Sequence, residues 1–305
     1  MVQGTTEDGL LPVERKEVMH VALIDADSIY FRAAYANTKN NEIRKMIDFT
    51  MKEIEGECLM PDVTKVAVKG KGNFRKDLYP KYKANRPELK PEIKKALTYG
   101  HQYMVDKYGA VMANDMEADD LVAIWAHEAR QEEMQYVVVG IDKDLKQIPG
   151  NHYNFGKKIH DFVDDDTAHY NLMLQCLTGD TSDNIPGIKG IGPKKAEVLL
   201  RGVASRSMWS RVRRAWRFHS AGDPVLSRRL LEMLTSWEEF EDVKSQVQRE
   251  ATKRQRNDGA QQNIQDRSVL SVPERAEGRA DGDRVALRDG TGDLPSDSGT
   301  VQQGS

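Results

Sequence analysis

Short, continuous runs of apolar residues alternate with longer amphipathic segments over the first two thirds of the chain. Four of these runs are predicted to be β-strands, and they cover 20–25, 63–68, 109–113 and 136–141. Runs of this kind are typical of strands buried on both faces of a parallel sheet. The intervening segments predict helices over 28–36, 40–56 and 88–107, and an amphipathic helix that opens at Asp115. The pattern therefore predicts an α/β fold with a central, mainly parallel sheet and helices on both faces.

The second half of the chain is predicted to begin with a hairpin and to continue as helices. Residues 150–169 have a polar, hairpin-like pattern, and the acidic run at 164–166 is interpreted as a helix cap or a solvated turn. Helices are predicted over 168–178, 194–200 and 205–245. From about residue 250 large apolar residues become rare, which predicts disorder. The predicted organisation is a flexible leader at 1–17, an α/β core at 18–170, a helical region at 171–249 and a disordered tail at 250–305.

A glycine-rich hairpin is predicted within 178–200, the stretch around which the chain is organised. Its sequence GIKGIGP cannot be regular helix or strand, and Pro193 suits the first turn of the helix that follows. Backbone N–H groups at such a helix start, with lysines beside them, favour binding of a phosphate. The alternative is a plain helix-loop-helix corner with solvated lysines. The predicted DNA-binding residues here are Gly187, Gly190, Gly192, Lys194 and Lys195.

Acidic residues stand where the predicted elements meet one edge of the sheet. Because the carboxyl ends of parallel strands share an edge, we expect these acids to converge. Carboxylates without a His/Cys set suit Mg²⁺ or Mn²⁺, and two such ions can promote phosphodiester hydrolysis. The predicted metal ligands are Asp25, Glu117, Asp119, Asp120, Asp142, Asp144, Asp180 and Asp183, and the last two are predicted to share a helical turn. For the cluster at 117–120 the alternative is a helix start whose acids complement the helix dipole.

The charge of the chain is segregated, although its formal net charge is only −3 over 305 residues. Between Lys65 and Lys95 there are 11 Lys/Arg against three acids, with tyrosines interleaved. This composition favours nucleic-acid binding and predicts a basic arch around 70–95, the alternative being a solvated surface loop. Residues 201–219 add six arginines and no acid.

Two cysteines, Cys58 and Cys176, have no metal-type spacing and predict buried free thiols in a reducing compartment. We find no apolar run of transmembrane length and no signal peptide at 1–17. The expectation is a soluble, cytoplasmic protein that has no membrane partner and is a monomer.

Taken together, these motifs resemble the 5′-nuclease superfamily, which includes phage 5′→3′ exonucleases, flap endonucleases and the 5′-nuclease domain of bacterial DNA polymerase I. The resemblance covers about 18–240, with its strongest motifs at 20–25, 79–86, 117–120, 139–148 and 178–200. YKANR and the DKD-x-K-x-I-P pattern are similar to those of phage exonucleases. The resemblance implies a PIN-like/5′-nuclease fold with a helical arch and a C-terminal helix-hairpin-helix region.

The resemblance also implies roles for individual residues. It assigns metal binding to the eight acids, with Asp180 and Asp183 associated with the second ion. Lys83 would contact the scissile phosphate and Arg86 would stabilise developing charge. Tyr82, with Arg75 in the same basic segment, would bind DNA. The glycine hairpin would grip the duplex backbone, with a bound K⁺ as an additional expectation.

The implied function is a divalent-metal-dependent 5′→3′ exonuclease or flap endonuclease. Its expected substrates are DNA with 5′ ends, flaps or nicks, and also RNA–DNA hybrids with RNA primers. Phage replication in the host cytoplasm, alongside replication proteins, is the expected setting.

One departure from the family pattern supports a different function. The family has an aspartate near the end of the second strand, whereas this chain has Lys69 and no acid nearby. The alternative is therefore a branched-DNA-binding protein of the same fold with impaired catalysis. A PIN-type ribonuclease is a third candidate, but the duplex-gripping hairpin argues against it.

Overall fold

The computed structural model describes residues 19–219, 221–249 and 252. They lie in a compact unit that covers Met1–Gln255, and a second unit covers Arg256–Ser305. The predicted leader at 1–17 lies outside the described residues, as does the predicted tail at 250–305 apart from residue 252.

A six-stranded sheet forms the centre of the fold. Its strands lie in the order β3-β2-β1-β4-β5-β6, and all neighbours are parallel except β5 and β6. The strands are β1 His20–Asp25, β2 Val63–Lys69, β3 Val111–Ala113, β4 Gln135–Val139, β5 Gly150–Asn154 and β6 Ile159–Val163. Two short antiparallel strands, β7 Gly179–Asp180 and β8 Ile185–Pro186, pair separately from this sheet.

Helices cover both faces of the sheet. One buried core joins β1, β2 and β4 to α1, α2 and α4, and the other joins the sheet to α5, α6 and the C-terminal helices. The helices are α1 Asp27–Ala36, α2 Asn40–Glu57, α3 Phe74–Leu78, α4 Pro91–Tyr108, α5 Ala118–Gln131, α6 Asp165–Thr178, α7 Pro193–Leu200, α8 Ser205–Phe218 and α9 Pro224–Leu231. A 3₁₀ turn covers Asp144–Gln147, and residues 237–249 are also helical.

The predicted α/β fold is confirmed, with small shifts at the ends of elements. Gly109 has a left-handed backbone (φ 62°) that ends α4, so the third strand begins at Val111 rather than at residue 109. Asp115 also has a left-handed backbone (φ 60°), and α5 therefore starts at Ala118 and not at Asp115. The predicted hairpin after residue 150 is confirmed, and Asp164 caps α6 as expected by accepting the Thr167 N–H. The boundary predicted at 170/171 falls inside α6.

The basic segment does not form a helical arch. Its only helix before α4 is the five-residue α3, and residues 80–86 are turns and bends. Pro80, Pro87 and Pro91 cannot sit in a helix interior, and the left-handed backbone of Lys83 (φ 56°) also interrupts helical geometry. Residues 79–90, between α3 and α4, are therefore a loop and not the predicted helical arch.

Cys58 and Cys176 are free and buried, as predicted. Burial raises the pKa of the Cys58 thiol to about 11 and that of Cys176 to about 12, so both stay protonated at neutral pH. Among the helices of the described residues, none combines the length and the apolar character needed to span a bilayer.

Candidate active site

Asp25 ends β1 at the carboxyl edge of the sheet and is 6 % exposed. Its pKa is raised well above the ordinary value by burial, and also by the nearby charges of Asp27, Asp142 and Glu117. These interactions come from α1, from the segment after β4 and from the start of α5. The structure therefore brings together acids from separate parts of the chain, as the sequence predicted.

Glu117 and Asp119 lie at the start of α5, at the same edge. Glu117 is the N-cap residue and forms a capping box with Asp120. Burial acts to raise the pKa of Glu117, but Lys83 and Arg75 outweigh it and the pKa is lowered. The pKa of Asp119 is raised by burial and by the charges of Glu117 and Asp120.

Asp120 is fully buried, and both of its oxygens are engaged. Arg75 donates to them at 2.5 and 2.8 Å, and the backbone N–H groups of Glu117 and Leu234 donate to them at 3.0 and 3.2 Å. The predicted metal-binding role of Asp120 is therefore wrong, because its oxygens have no lone pair directed at open space. Asp120 instead fixes the start of α5.

Arg75 is also buried, with 3 % of its surface exposed. It donates to the carbonyl oxygens of Leu230 and Glu232, each at 2.9 Å, in addition to Asp120. Its predicted contact with DNA is wrong, because a guanidinium with all these partners inside the protein cannot reach a phosphate. Arg75 connects α3, the start of α5 and the chain after α9.

Asp142 and Asp144 follow β4, and Lys143 between them reaches across to Asp180. Asp142 is exposed and accepts the Asp144 N–H at 2.9 Å. Burial and the charge of Asp142 raise the pKa of Asp144 to about 6, although it accepts a hydrogen bond from Gln175. Lys143 Nζ donates to Asp180 Oδ2 at 2.7 Å. These four charged residues form one end of the acidic cluster.

Asp180 and Asp183 lie on a hairpin turn between β7 and β8, so the predicted helical turn is wrong. Asp180 Oδ1 accepts the backbone N–H of Ser182 at 2.8 Å and that of Asp183 at 3.3 Å, which fixes the tight turn. Burial acts to raise the pKa of Asp180, but the hydrogen bonds from Lys143 and Ser182 lower it. The two residues therefore share a turn between short strands instead of one helix face.

The basic loop lies against this turn. The Lys83 N–H donates to the Asp183 carbonyl at 2.9 Å, and side chains of Asn85 and Asn184 bond carbonyls across the contact at 2.7 Å each. Lys83 Nζ contacts Glu117 and lies 3.5 Å from Asp183, and Arg86 donates to Asp183 at 2.8 Å. The two predicted catalytic cations therefore lie directly against the acidic cluster.

Tyr82 is predicted to bind DNA, but the structure places its side chain in the interior, where 3 % of its surface is exposed. Its hydroxyl lies 2.7 Å from Glu117 Oε2 and 3.1 Å from Asp183 Oδ2. Burial and the charge of Glu117 raise its pKa far above the ordinary value, so the hydroxyl stays protonated and can donate. Tyr82 holds the two carboxylates in place.

The glycine hairpin divides into a packed part and an exposed part. A Cβ on Gly187 would lie 2.1 Å from the Thr178 carbonyl carbon, so the backbone packing at this position requires a glycine. Gly190 and Gly192 are exposed, and a Cβ on either would meet nothing within 4 Å. Pro193 begins α7 as predicted, and Lys195 Nζ donates to the Gly190 carbonyl at 2.9 Å. Phosphate binding by this hairpin and by exposed Lys194 stays a prediction.

Asp27 is a carboxylate of this cluster that the sequence analysis missed. It lies at the first position of α1, and its Oδ1 accepts the backbone N–H of Lys69 at 2.8 Å and the Tyr30 hydroxyl at 2.9 Å. The charge of Asp27 acts on Asp25 more strongly than that of any other acid. The Asp27 carboxylate, which comes from α1, therefore lies at the end of β2, a strand that has no acid of its own at that end. The signal for Asp27 in the sequence is its position two residues after Asp25.

The donor chemistry of the cluster fits a hard divalent cation, since the side chains offer carboxylate oxygens alone. As the side chains lie, no group of three or more His, Cys, Asp or Glu within the described residues could hold a metal ion. Ammonium groups hold the carboxylates instead: Lys83 stands between Glu117 and Asp183, and Lys143 contacts Asp180. A divalent ion would have to replace these contacts.

A family model described as the 5′-3′ exonuclease, N-terminal resolvase-like domain matches residues 20–171, about half of the chain. DNA polymerase I of Caldicellulosiruptor bescii is 27 % identical over 61 % of this chain and 25 % of that protein. The flap endonuclease Xni of Pseudoalteromonas translucida is 28 % identical over 61 % of this chain and 79 % of that protein. The chain thus spans about a quarter of the length of this polymerase relative.

Among solved structures, the 5′-exonuclease of bacteriophage T5 with bound zinc ions has a TM-score of 0.54. It is 17 % identical and matches 75 % of this chain and 98 % of its own. A T5 flap endonuclease in complex with DNA and metal ions has a TM-score of 0.50 at 16 % identity, over 75 % of this chain and 99 % of its own. At these identities the likeness establishes the fold.

Proposed function

The chain belongs to the 5′-nuclease superfamily, and we propose that it is a divalent-metal-dependent 5′→3′ exonuclease or flap endonuclease that hydrolyses phosphodiester bonds of DNA. The observation that carries the proposal is the convergence of acids from β1, α5, the segment after β4 and the β7–β8 turn, with Lys83 and Arg86 against them. Bound Mg²⁺ or Mn²⁺ would supply an activated water and charge stabilisation at the leaving oxygen.

The residues that would hold the metal ions are the acids of the cluster that are not paired with the buried Arg75. Asp120 is excluded for the reason given above. The T5 5′-exonuclease structure contains zinc ions and the T5 flap endonuclease structure contains metal ions, which supports a similar requirement here. The proposed ligands are Asp25, Asp27, Glu117, Asp119, Asp142, Asp144, Asp180 and Asp183.

Lys83 and Arg86 would exchange partners when substrate binds. In the structure their positive charges neutralise Glu117 and Asp183. Released from these carboxylates, both side chains would be able to bind a phosphate, a group that the arginine guanidinium can engage with two parallel hydrogen bonds. Tyr82, which is buried, would continue to orient Glu117.

A binder with impaired catalysis is the second candidate, and Lys69 is the observation that favours it. β2 ends at Lys69, and a positive charge there would oppose a nearby cation. Asp27 weighs against this candidate, because its carboxylate is bonded to the Lys69 backbone and restores one negative charge at the end of β2. We therefore favour the nuclease.

Cleavage of a panel of substrates tests the proposed function. We expect purified protein with Mg²⁺ or Mn²⁺ to cut 5′-flapped, nicked or blunt DNA duplexes, and EDTA to abolish cutting, because the acids cannot by themselves activate water. An RNA–DNA hybrid and single-stranded RNA of matched sequence test primer removal and the ribonuclease alternative. If every DNA duplex stays intact with both metals, the nuclease assignment is wrong, and tight binding of the flap would then support the binder.

The other finer expectations stay proposals of the same kind. They are a role in phage replication with replication proteins, a helix-hairpin-helix with bound K⁺, a monomeric state and a cytoplasmic location.

A further inference from the structure

The helix α8 has a buried apolar side and an exposed basic side. Met208, Val212, Ala215 and Trp216 are buried, and the Trp216 indole N–H donates to the Cys176 carbonyl of α6 at 2.8 Å. This anchor fixes how α8 is rotated about its axis. The residues on the other side are therefore held in a defined row at the surface.

Five exposed arginines occupy the rest of the helix: Arg206, Arg211, Arg213, Arg214 and Arg217. At 3.6 residues per turn, Arg206, Arg213 and Arg217 fall within about 40° of one another around the axis. They lie on the side away from the buried residues and extend over about 16 Å of helix length. We call this row, with Arg214 beside it, the arginine face.

Among the described residues, no acid is ion-paired with the arginine face. No acid occurs in 201–219, and no ion pair joins these arginines to an acid within the part of the chain that the structure describes. By contrast, Arg75, Arg130 and Arg228 each pair with a carboxylate at 2.5 to 2.7 Å. A row of exposed guanidinium groups creates a positive potential at the surface, which attracts a polyanion.

We propose that the arginine face binds the sugar-phosphate backbone of duplex DNA, away from the phosphate that is cut. This inference rests on the proposed function, because it concerns how the same substrate is held. Successive phosphates of one strand advance about 3.4 Å along the duplex axis, so a 16 Å row matches several of them. Guanidinium groups bind phosphate oxygens through paired hydrogen bonds.

A membrane surface fits this helix less well. Helices that lie on membranes insert an apolar face below a basic one. In α8 the apolar face is already buried against α6 and the rest of the core. The arginine face therefore presents charge but no apolar side that could insert into a membrane. A charged surface of this kind is sufficient to bind a duplex backbone.

Duplex binding by the full chain in EDTA, where metal-dependent cutting is absent, tests the proposal. Arg213→Gln combined with Arg217→Gln is expected to weaken binding of a blunt duplex about tenfold at moderate salt. Each lost phosphate contact lowers the magnitude of the slope of log K against log salt by about 1, so the pair is expected to lower it by about 2 between about 50 and 300 mM KCl. Fluorescence anisotropy measures both quantities.

The matched control is Arg44→Gln combined with Lys45→Gln, which removes the same charge from the exposed side of α2. It is expected to change affinity and slope much less. Arg206→Gln with Arg214→Gln provides a second variant of the arginine face. In Mg²⁺, the arginine-face variants are expected to raise the enzyme concentration that gives half of the maximal cleavage rate, whereas the α2 control is expected to leave it unchanged. Cleavage by the wild type tests the proposed function separately from this proposal.

The proposal is overturned if both arginine-face variants keep the wild-type affinity and salt slope. It is equally overturned if the α2 control loses as much duplex affinity and salt slope as the arginine-face variants do, since net charge would then explain the effect. Loss of binding to anionic lipid vesicles with unchanged duplex affinity would assign the arginine face to a membrane instead.

Discussion

Replacing Arg75 with methionine is expected to lower the free energy of unfolding by about 3–5 kcal/mol. The substitution leaves the Asp120 carboxylate fully buried without its partner and also removes the bonds to the Leu230 and Glu232 carbonyls. Removing one member of a buried ion pair is costly because the other charge stays desolvated. Urea denaturation measures the change.

Arg130→Met is the matched control for this prediction. Arg130 forms the same two-bond contact with an aspartate, Asp165, at 2.7 and 3.1 Å, but the pair is exposed. Exposed pairs contribute about 1 kcal/mol or less, so this variant is expected to lose little stability. Arg75→Lys keeps the charge but not the two-bond geometry. Its loss of stability is expected to lie between those of Arg75→Met and Arg130→Met. If Arg75→Met is no less stable than Arg130→Met, Arg75 does not connect these elements as described.

Asp27→Asn is expected to weaken divalent-metal binding by about 10–100-fold and to lower cleavage with it. The asparagine oxygen can still accept the Lys69 N–H and the Tyr30 hydroxyl, so the local fold is kept while one negative charge is lost. Titration calorimetry with Mn²⁺ in the absence of DNA measures the affinity. Cleavage of a labelled duplex in the same buffer provides the second readout.

Moving the acid to β2 tests the reason for this effect. Asp27→Asn combined with Lys69→Asp is expected to recover part of the metal affinity, because it returns a carboxylate to the end of β2. Asp62→Asn is the control, since Asp62 likewise accepts a backbone N–H, that of His20 at 2.9 Å, but at the other end of β1. Unchanged Mn²⁺ affinity in Asp27→Asn would show that Asp27 is not the substitute for the missing strand acid.

The sheet and the acids at its edge could be predicted from the sequence because their signals are local. Apolar runs mark β1, β2 and β4, and Asp25 and Asp142 follow such runs directly, so topology alone brings them together. The glycine and proline spacing likewise predicted the start of α7 at Pro193.

The errors concern side chains whose role is decided by distant partners. Arg75 and Asp120 are 45 residues apart, and Arg75 and Leu230 are 155 apart, so no local pattern shows that they meet. The resemblance implies that Tyr82 binds DNA, yet packing buries it against Glu117. Asp27 was overlooked because its bond to Lys69 depends on the pairing of β1 with β2.

The metal-dependent active site at the carboxyl edge of the sheet is tested most directly by cleavage of a 5′-labelled flap duplex in Mg²⁺. Wild type is compared with Asp142→Asn. Asp142 is exposed and takes no part in a buried ion pair, so its replacement should leave the fold intact. Wild type is expected to release short 5′-labelled products, and EDTA is expected to stop the reaction. Asp142→Asn is expected to lose cleavage while still binding the flap. Equal cleavage by wild type and Asp142→Asn, or cleavage that persists in EDTA, would contradict a metal-dependent site at this edge of the sheet.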